Sequence, residues 1–126
     1  MRLRLKQVLP VLLGAAVAIP AAVAYADTNG AEGTVESLTV YSSSSTLYTN
    51  RRGELKVREQ GGTLRQYYFG GTKCSHMNLS TSQVELLARA LNNSDVAIVP
   101  KYLPGTSGSR CVVGIEFRKP TEGGPS

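Results

Sequence analysis

From Val8 to Val23 every residue is Val, Leu, Ile, Ala, Gly or Pro. Ahead of this block stand Arg2, Arg4 and Lys6 with no acid among them, and behind it comes Ala24-Tyr25-Ala26. Basic, apolar, then small residues at the two positions a signal peptidase reads is the pattern of a secretory signal peptide. The block is shorter than the roughly 20 apolar residues of a spanning helix, and Pro20 interrupts it, so a membrane anchor fits less well. No Cys stands at the cleavage site, which argues against lipoprotein attachment. Cleavage is expected after Ala26, with Ala24 as the next choice. The expected layout is a signal peptide over 1–26, a disordered segment over 27–33, a single domain over 34–119 and a disordered tail over 120–126. What folds is then one domain of about 100 residues, secreted or periplasmic, with no stable membrane span after cleavage.

Removing the leader changes the electrostatics. Of 14 Lys and Arg residues, three leave with it, so eleven face nine acids and the formal net charge falls from +5 to +2. Nucleic-acid binding needs clustered, unopposed cations, so no nucleic-acid partner is expected. The pairs Arg51-Arg52 and Arg118-Lys119 read as solvated turn or strand-end residues. With 41% hydrophobic and 18% charged residues, the composition is that of a globular chain, not a disordered one. Trp is absent and Phe occurs only at 69 and 117, so Val, Leu and Ile must fill the core.

Two cysteines, Cys74 and Cys111, in a small exported domain read as one disulfide. It would close a loop of about 38 residues and stabilise the fold by roughly 3 to 4 kcal/mol. The competing role is a nucleophilic Cys74 served by His76, which shares its face if the stretch is extended. An exported thiol with an available partner oxidises, which favours the disulfide. Zinc held by Cys74, His76 and Cys111 lacks both a familiar spacing and a fourth ligand. No metal and no cofactor are expected.

Thr34 to Tyr41 is β-branched and reads as a strand. Ser42 to Ser45 is a loop or bulge, Thr46 to Thr49 resumes a strand, and Asn50 to Gly53 is a turn. In Glu54 to Glu59, Leu55 and Val57 alternate with Glu54, Lys56 and Arg58, the pattern of a half-buried strand. Gln60-Gly61-Gly62 then turns the chain into a strand over Thr63 to Phe69, making a hairpin. The period changes at Val84, Leu87, Ala88 and Leu91, which mark a helical face over about 81–92. Ser80 with Gln83, or Ser82 with Glu85, forms a capping box, and Leu79 with Val84 a hydrophobic staple. Asn92-Asn93 suits the left-handed conformation that ends helices. Asn78-Leu79-Ser80 and Asn92-Asn93-Ser94 are formal glycosylation sequons that read here as capping chemistry. Asp95 to Leu103 is a strand, Pro104 to Ser109 a loop, and Cys111, Val113, Ile115 and Phe117 alternate along the last strand.

Strands, one helix and two more strands make an α+β, mainly β chain. The architecture expected is a small OB-like antiparallel barrel of five to six strands, with its one helix before the last two. Leu86 to Leu91, the Asn-rich turn, Val96 to Val99 and Cys111 to Ile115 resemble the C-terminal half of the exported OB-fold B subunits of AB5 toxins. The subtilase-cytotoxin and typhoid-toxin type is most similar, as are other small exported bacterial proteins of this layout. That resemblance implies a homo-oligomer, pentameric in the toxins, and binding of cell-surface glycans near the first strands. Tyr41 and Ser42, Ser43 and Ser44 occupy the comparable region. The Gln60 to Gly62 hairpin and the C-terminal tail depart from the toxin pattern.

Catalytic patterns are missing: there is one His, no G-x-S-x-G, no H-E-x-x-H and no P-loop. The acids fall on exposed strand faces or in tails. Tyr67 and Tyr68 are adjacent on a strand and point to opposite faces, so one must face outward. Tyr41, Tyr48 and Tyr67 with Ser42 to Ser44 form the candidate binding surface, because Tyr offers rigid amphipathic area. The expected function is an exported non-catalytic binding module of the glycan-binding B-subunit kind. The alternatives are a periplasmic structural or inhibitory protein that binds another exported protein and, last, a small enzyme.

Overall fold

The computed structural model describes residues 26–121. Residues 1–25, nearly all of the signal peptide expected over 1–26, and the tail residues 122–126 lie outside the described residues. In chain order come β1 (Thr28–Asn29), β2 (Gly33–Val40), β3 (Gly53–Glu59), β4 (Leu64–Phe69), α1 (Thr81–Ala90), β5 (Ala97–Pro104) and β6 (Arg110–Arg118). Among the described residues no helix is long and apolar enough to cross a membrane.

Antiparallel ladders join β2 to β3, β3 to β4 and β5 to β6. Two short contacts close the ring: Gly33 pairs with Ile98, and Tyr68 pairs with Cys111. The second is parallel, so the barrel is mixed where an antiparallel one was expected. The physical reason is the crossover: α1 carries the chain over the barrel end, and β6 returns beside β4 in the same direction. The five-strand barrel with one helix between its third and fourth strands is an OB-like α+β fold.

The strand β3 follows its sequence pattern closely. Leu55 and Val57 are fully buried, while Glu54, Lys56 and Arg58 lie half-buried on the outside. The turn to β4 uses Gly61 and Gly62 at φ of 89° and 98°, a region L side chains rarely adopt. The core joins Val35, Leu55, Val57, Tyr67, Phe69, Leu87, Ile98 and Val112, with Leu79 and Ala90 at the helix end. Of the two possible capping boxes, Ser80 and Gln83 make it. The Ser80 Oγ accepts from the Gln83 N–H at 3.1 Å, and Gln83 Oε1 accepts from the Ser80 N–H at 2.8 Å. The helix ends at Ala90, two residues earlier than expected, with Asn92 at φ 65° beyond it. Ala90 is buried and Ala88 exposed, so Ala88 does not belong to the inward stripe.

Three further expectations fail for local reasons. Within 27–33, where disorder was expected, Thr28 and Asn29 pair with Tyr102 and Lys101, and the Gly30 N–H donates to the Pro100 carbonyl at 2.7 Å. Thr46 to Thr49 is not a strand. Successive turns replace it, with N–H to carbonyl bonds from Ser45 to Ser42, Tyr48 to Ser45 and Arg51 to Leu47. In β6 the strict alternation breaks at Val113, where the register against β5 shifts between Lys101 and Tyr102. This bulge turns Val112 into the core beside Cys111, while Ile115 and Phe117 pack against the core from the odd phase.

Candidate functional site

In OB barrels the outer face of the second and third barrel strands, flanked by the loops after the first and fourth, is the usual ligand platform. Here that face belongs to β3 and β4, and the flanking loops are 41–52 and 105–109. The Tyr41 N–H donates to the Arg52 carbonyl at 2.9 Å, which closes the base of the first loop. The serine run supplies its turns: Ser45 Oγ accepts from the Leu47 N–H at 3.1 Å. Ser42, Ser43 and Ser44 are exposed at the loop surface.

Glu54 is the centre of the platform. Its Oε2 accepts from the Tyr41 hydroxyl at 2.6 Å and from Arg51 Nε, and its Oε1 accepts from Gln66 Nε2 at 2.7 Å. Only 12% of the Glu54 side chain and 19% of Arg51 remain exposed, so both are held firmly. Burial alone pushes the Glu54 carboxyl up, but the Tyr41 hydroxyl and the Arg51 guanidinium outweigh it and hold it below the usual carboxylate range. The Tyr41 phenol moves up in turn, through its bond to Glu54 and then through burial. The Arg51 guanidinium lies 5.5 Å from the Tyr41 ring and 5.8 Å from the Tyr68 ring. Lys73 Nζ stands 4.7 Å from Tyr68 on its own account. Two aromatic faces, two cations, a carboxylate and an amide thus form one ordered patch. Arg51 is therefore a structured residue and not a solvated turn cation.

Next to this patch, Asn50, Thr72, Lys73, Thr106 and Ser107 line a cleft of about 310 Å³ between the two loops. Ser107 sits at φ 59° and the Thr106 hydroxyl donates to the Thr72 carbonyl at 3.1 Å, which docks the 105–109 loop against the segment after β4. The disulfide joins Cys74 to Cys111, with Cα atoms 5.6 Å apart, and anchors this corner. Both sulfurs being taken, neither a Cys74 nucleophile nor a zinc site on Cys74, His76 and Cys111 exists in this fold. His76 is exposed in its loop at φ 64°.

The expected surface residues divide. Tyr41 joins the Glu54 patch directly. Tyr48 lies on another side of the loop, accepting from Arg52 Nη1 at 2.8 Å. Tyr67 is only 1% exposed and belongs to the core, so it is not a surface residue. Burial and then the nearby Glu59 push its phenol up to about 12. Its place is taken by Tyr68, which the pair rule left open. The phase of Phe69 could have resolved this, since residues 67 and 69 share a face and a lone Phe in a strand turns inward. Arg51, Glu54, Gln66 and Lys73 carried no sequence signal of their own; the register of β3 on β4 brings Glu54, Gln66 and Tyr68 together, and loop bonds such as Lys73 N–H to the Asn50 carbonyl bring in the two cations. Among the described residues no group of three or more His, Cys, Asp or Glu could hold a metal ion. Compared with protein-family models, curated proteins and solved structures, the chain gives no significant match.

Proposed function

We propose that this chain is an exported, non-catalytic binding module that takes a cell-surface glycan on the outer face of β3 and β4. The observation that carries this reading is the ordered patch of Tyr41, Arg51, Glu54, Gln66, Tyr68 and Lys73. A sugar ring lays its apolar face on an aromatic ring and exchanges hydroxyl hydrogen bonds with planar polar side chains, and this patch offers both. Its position matches the OB platform that takes oligosaccharides and oligonucleotides. A mature net charge of only +2 favours the sugar. The basic, apolar and small leader supports export to the periplasm or beyond, and the disulfide fits an oxidising compartment. The resemblance to AB5-toxin B subunits supports a homo-oligomer presenting several such patches.

The test is a glycan array on the oxidised mature protein beside Tyr68→Ala, with light scattering on both. Binding that falls about tenfold in Tyr68→Ala at unchanged mass supports the platform. An array without binding, from a protein that is monomeric by light scattering, overturns it.

A further inference from the structure

Arg51 and Arg52 are neighbours with separate surroundings. Arg52 serves a second cleft, of about 510 Å³, walled by Tyr48, Arg52, Gly71, Ser75, His76 and Asn78 among others. We propose that this cleft is an oxyanion site, in which the Arg52 guanidinium binds a carboxylate or phosphate group of a small ligand. It shares none of its side chains with the Glu54 patch and does not depend on the glycan reading.

The root of Arg52 is fixed by the sheet, since its N–H donates to the Phe69 carbonyl at 2.9 Å. Its stem lies against Gly70, where any Cβ would run into the Arg52 side chain. Its head is fixed by Tyr48: the guanidinium carbon stands 4.0 Å from the ring centroid, and Nη1 donates to the hydroxyl. Holding a flexible cation this way removes most of the ordering cost of binding. Yet the charge itself is unanswered. Arg52 is in no ion pair among the described residues, and no carboxylate lines the cleft. Its Nε is fully buried with no acceptor. A charged donor group left without an acceptor is costly, and since the buried Nε is sealed from solvent, it is the open Nη side of the guanidinium that an outside acceptor would meet.

The walls suit an anion. Gly71 and His76 hold left-handed backbone at φ 73° and 64°. The N–H groups of Gly71, Ser75 and His76 donate to no acceptor among the described residues. Successive free amides beside a guanidinium make an anion-binding concavity. The guanidinium fork matches carboxylate and phosphate oxygens with two parallel bonds, which a lysine cannot do. Nη2 has no protein partner and is reachable from solvent, so it is the edge that meets the ligand.

The probes are sodium phosphate and sodium acetate, titrated separately into the oxidised mature protein at constant ionic strength with chloride. Amide and arginine Nε–H resonances are followed by NMR. Saturable shifts of the Arg52 Nε–H and of the Gly71 and His76 amides are expected. Saturation with phosphate alone assigns a phosphate ester, and saturation with acetate assigns a carboxylate. Arg52→Gln should abolish saturation while the β-strand amides keep their dispersion. If Arg52→Gln does not fold, Arg52→Lys serves: it keeps the charge, loses the fork, and should weaken binding. Shifts that grow linearly with both anions, or saturation that is unchanged in either variant, overturn the site.

Discussion

Two adjacent tyrosines show how far a single residue's fate depends on strand phase. Tyr67 and Tyr68 have the same chemistry and neighbouring backbone, yet Tyr67 is buried in the core and Tyr68 sits between Arg51 and Lys73. Tyr67→Ala removes a ring from the core and should cost about 3 to 5 kcal/mol of stability. Tyr68→Ala removes a half-exposed ring and should cost less than about 1 kcal/mol of stability while weakening glycan binding about tenfold. Urea midpoints of the two variants check this, and equal losses would mean the strand is out of phase. Glu54 makes the second residue-scale case. Its folded-state pKa lies below the ordinary value, so its contribution is fully present above the unfolded pKa and is lost as pH falls through the lower folded one. Glu54→Gln cannot titrate, so its stability should fall less between about pH 5 and pH 3 than that of the wild type. Superimposable acid limbs in urea unfolding would show that Tyr41 and Arg51 do not hold the carboxylate in solution.

At the scale of elements, the turns and the helix were the most legible parts, because each is set by residues a few positions apart. Gly61-Gly62 and the Ser80 to Gln83 box are local devices that need no partner strand. Ser80 and Ser82 offer the same box on paper, but only the Ser80 oxygen reaches a free N–H. Ser80→Ala should therefore cost about 1 kcal/mol, while Ser82→Ala should change stability by no more than about 0.5 kcal/mol. Thermal unfolding of the two variants decides it, and the reverse order would place the helix start two residues later. What could not be read locally was anything that depended on pairing. The bulges between Val35 and Ser37 and at Val113 reverse which residues face inward, and no residue pattern within either strand marks them. The TLYT stretch has strand propensity, yet it has no ladder partner, and local turn bonds win. The candidate site fails the same test: Tyr41 was legible as an exposed aromatic, whereas Glu54 and Gln66 converge through register and Lys73 through a loop bond to Asn50.

For the whole molecule, the disulfide decides how independent the fold is. Cys111 is the residue at which β6 meets β4, and Cys74 lies in the loop that walls the Arg52 cleft. The Cys111 sulfur also lies where a Cβ at Gly105 would stand, so one covalent link holds the barrel closure and both loop corners. On the chain-entropy model, with the cysteines 37 positions apart, the link contributes about 4 kcal/mol. A domain of this size has only about 5 to 10 kcal/mol of stability in all, so the reduced chain is expected to be marginal. Replacing both cysteines by Ala should therefore lower the unfolding free energy by about 4 kcal/mol and loosen the amides of residues 70–78 before those of β3. Hydrogen exchange on the double variant reads both effects, and unchanged protection in that loop would relocate the strength of the fold to its core alone. The disulfide fits an oxidising compartment, and the leader before Asp27 is proposed to bring the chain there. Intact mass of protein recovered from the producing cell should accordingly begin at Asp27 and lack two hydrogens. Retention of Met1, or alkylation of both cysteines without reductant, would separate the barrel from the export route proposed for it.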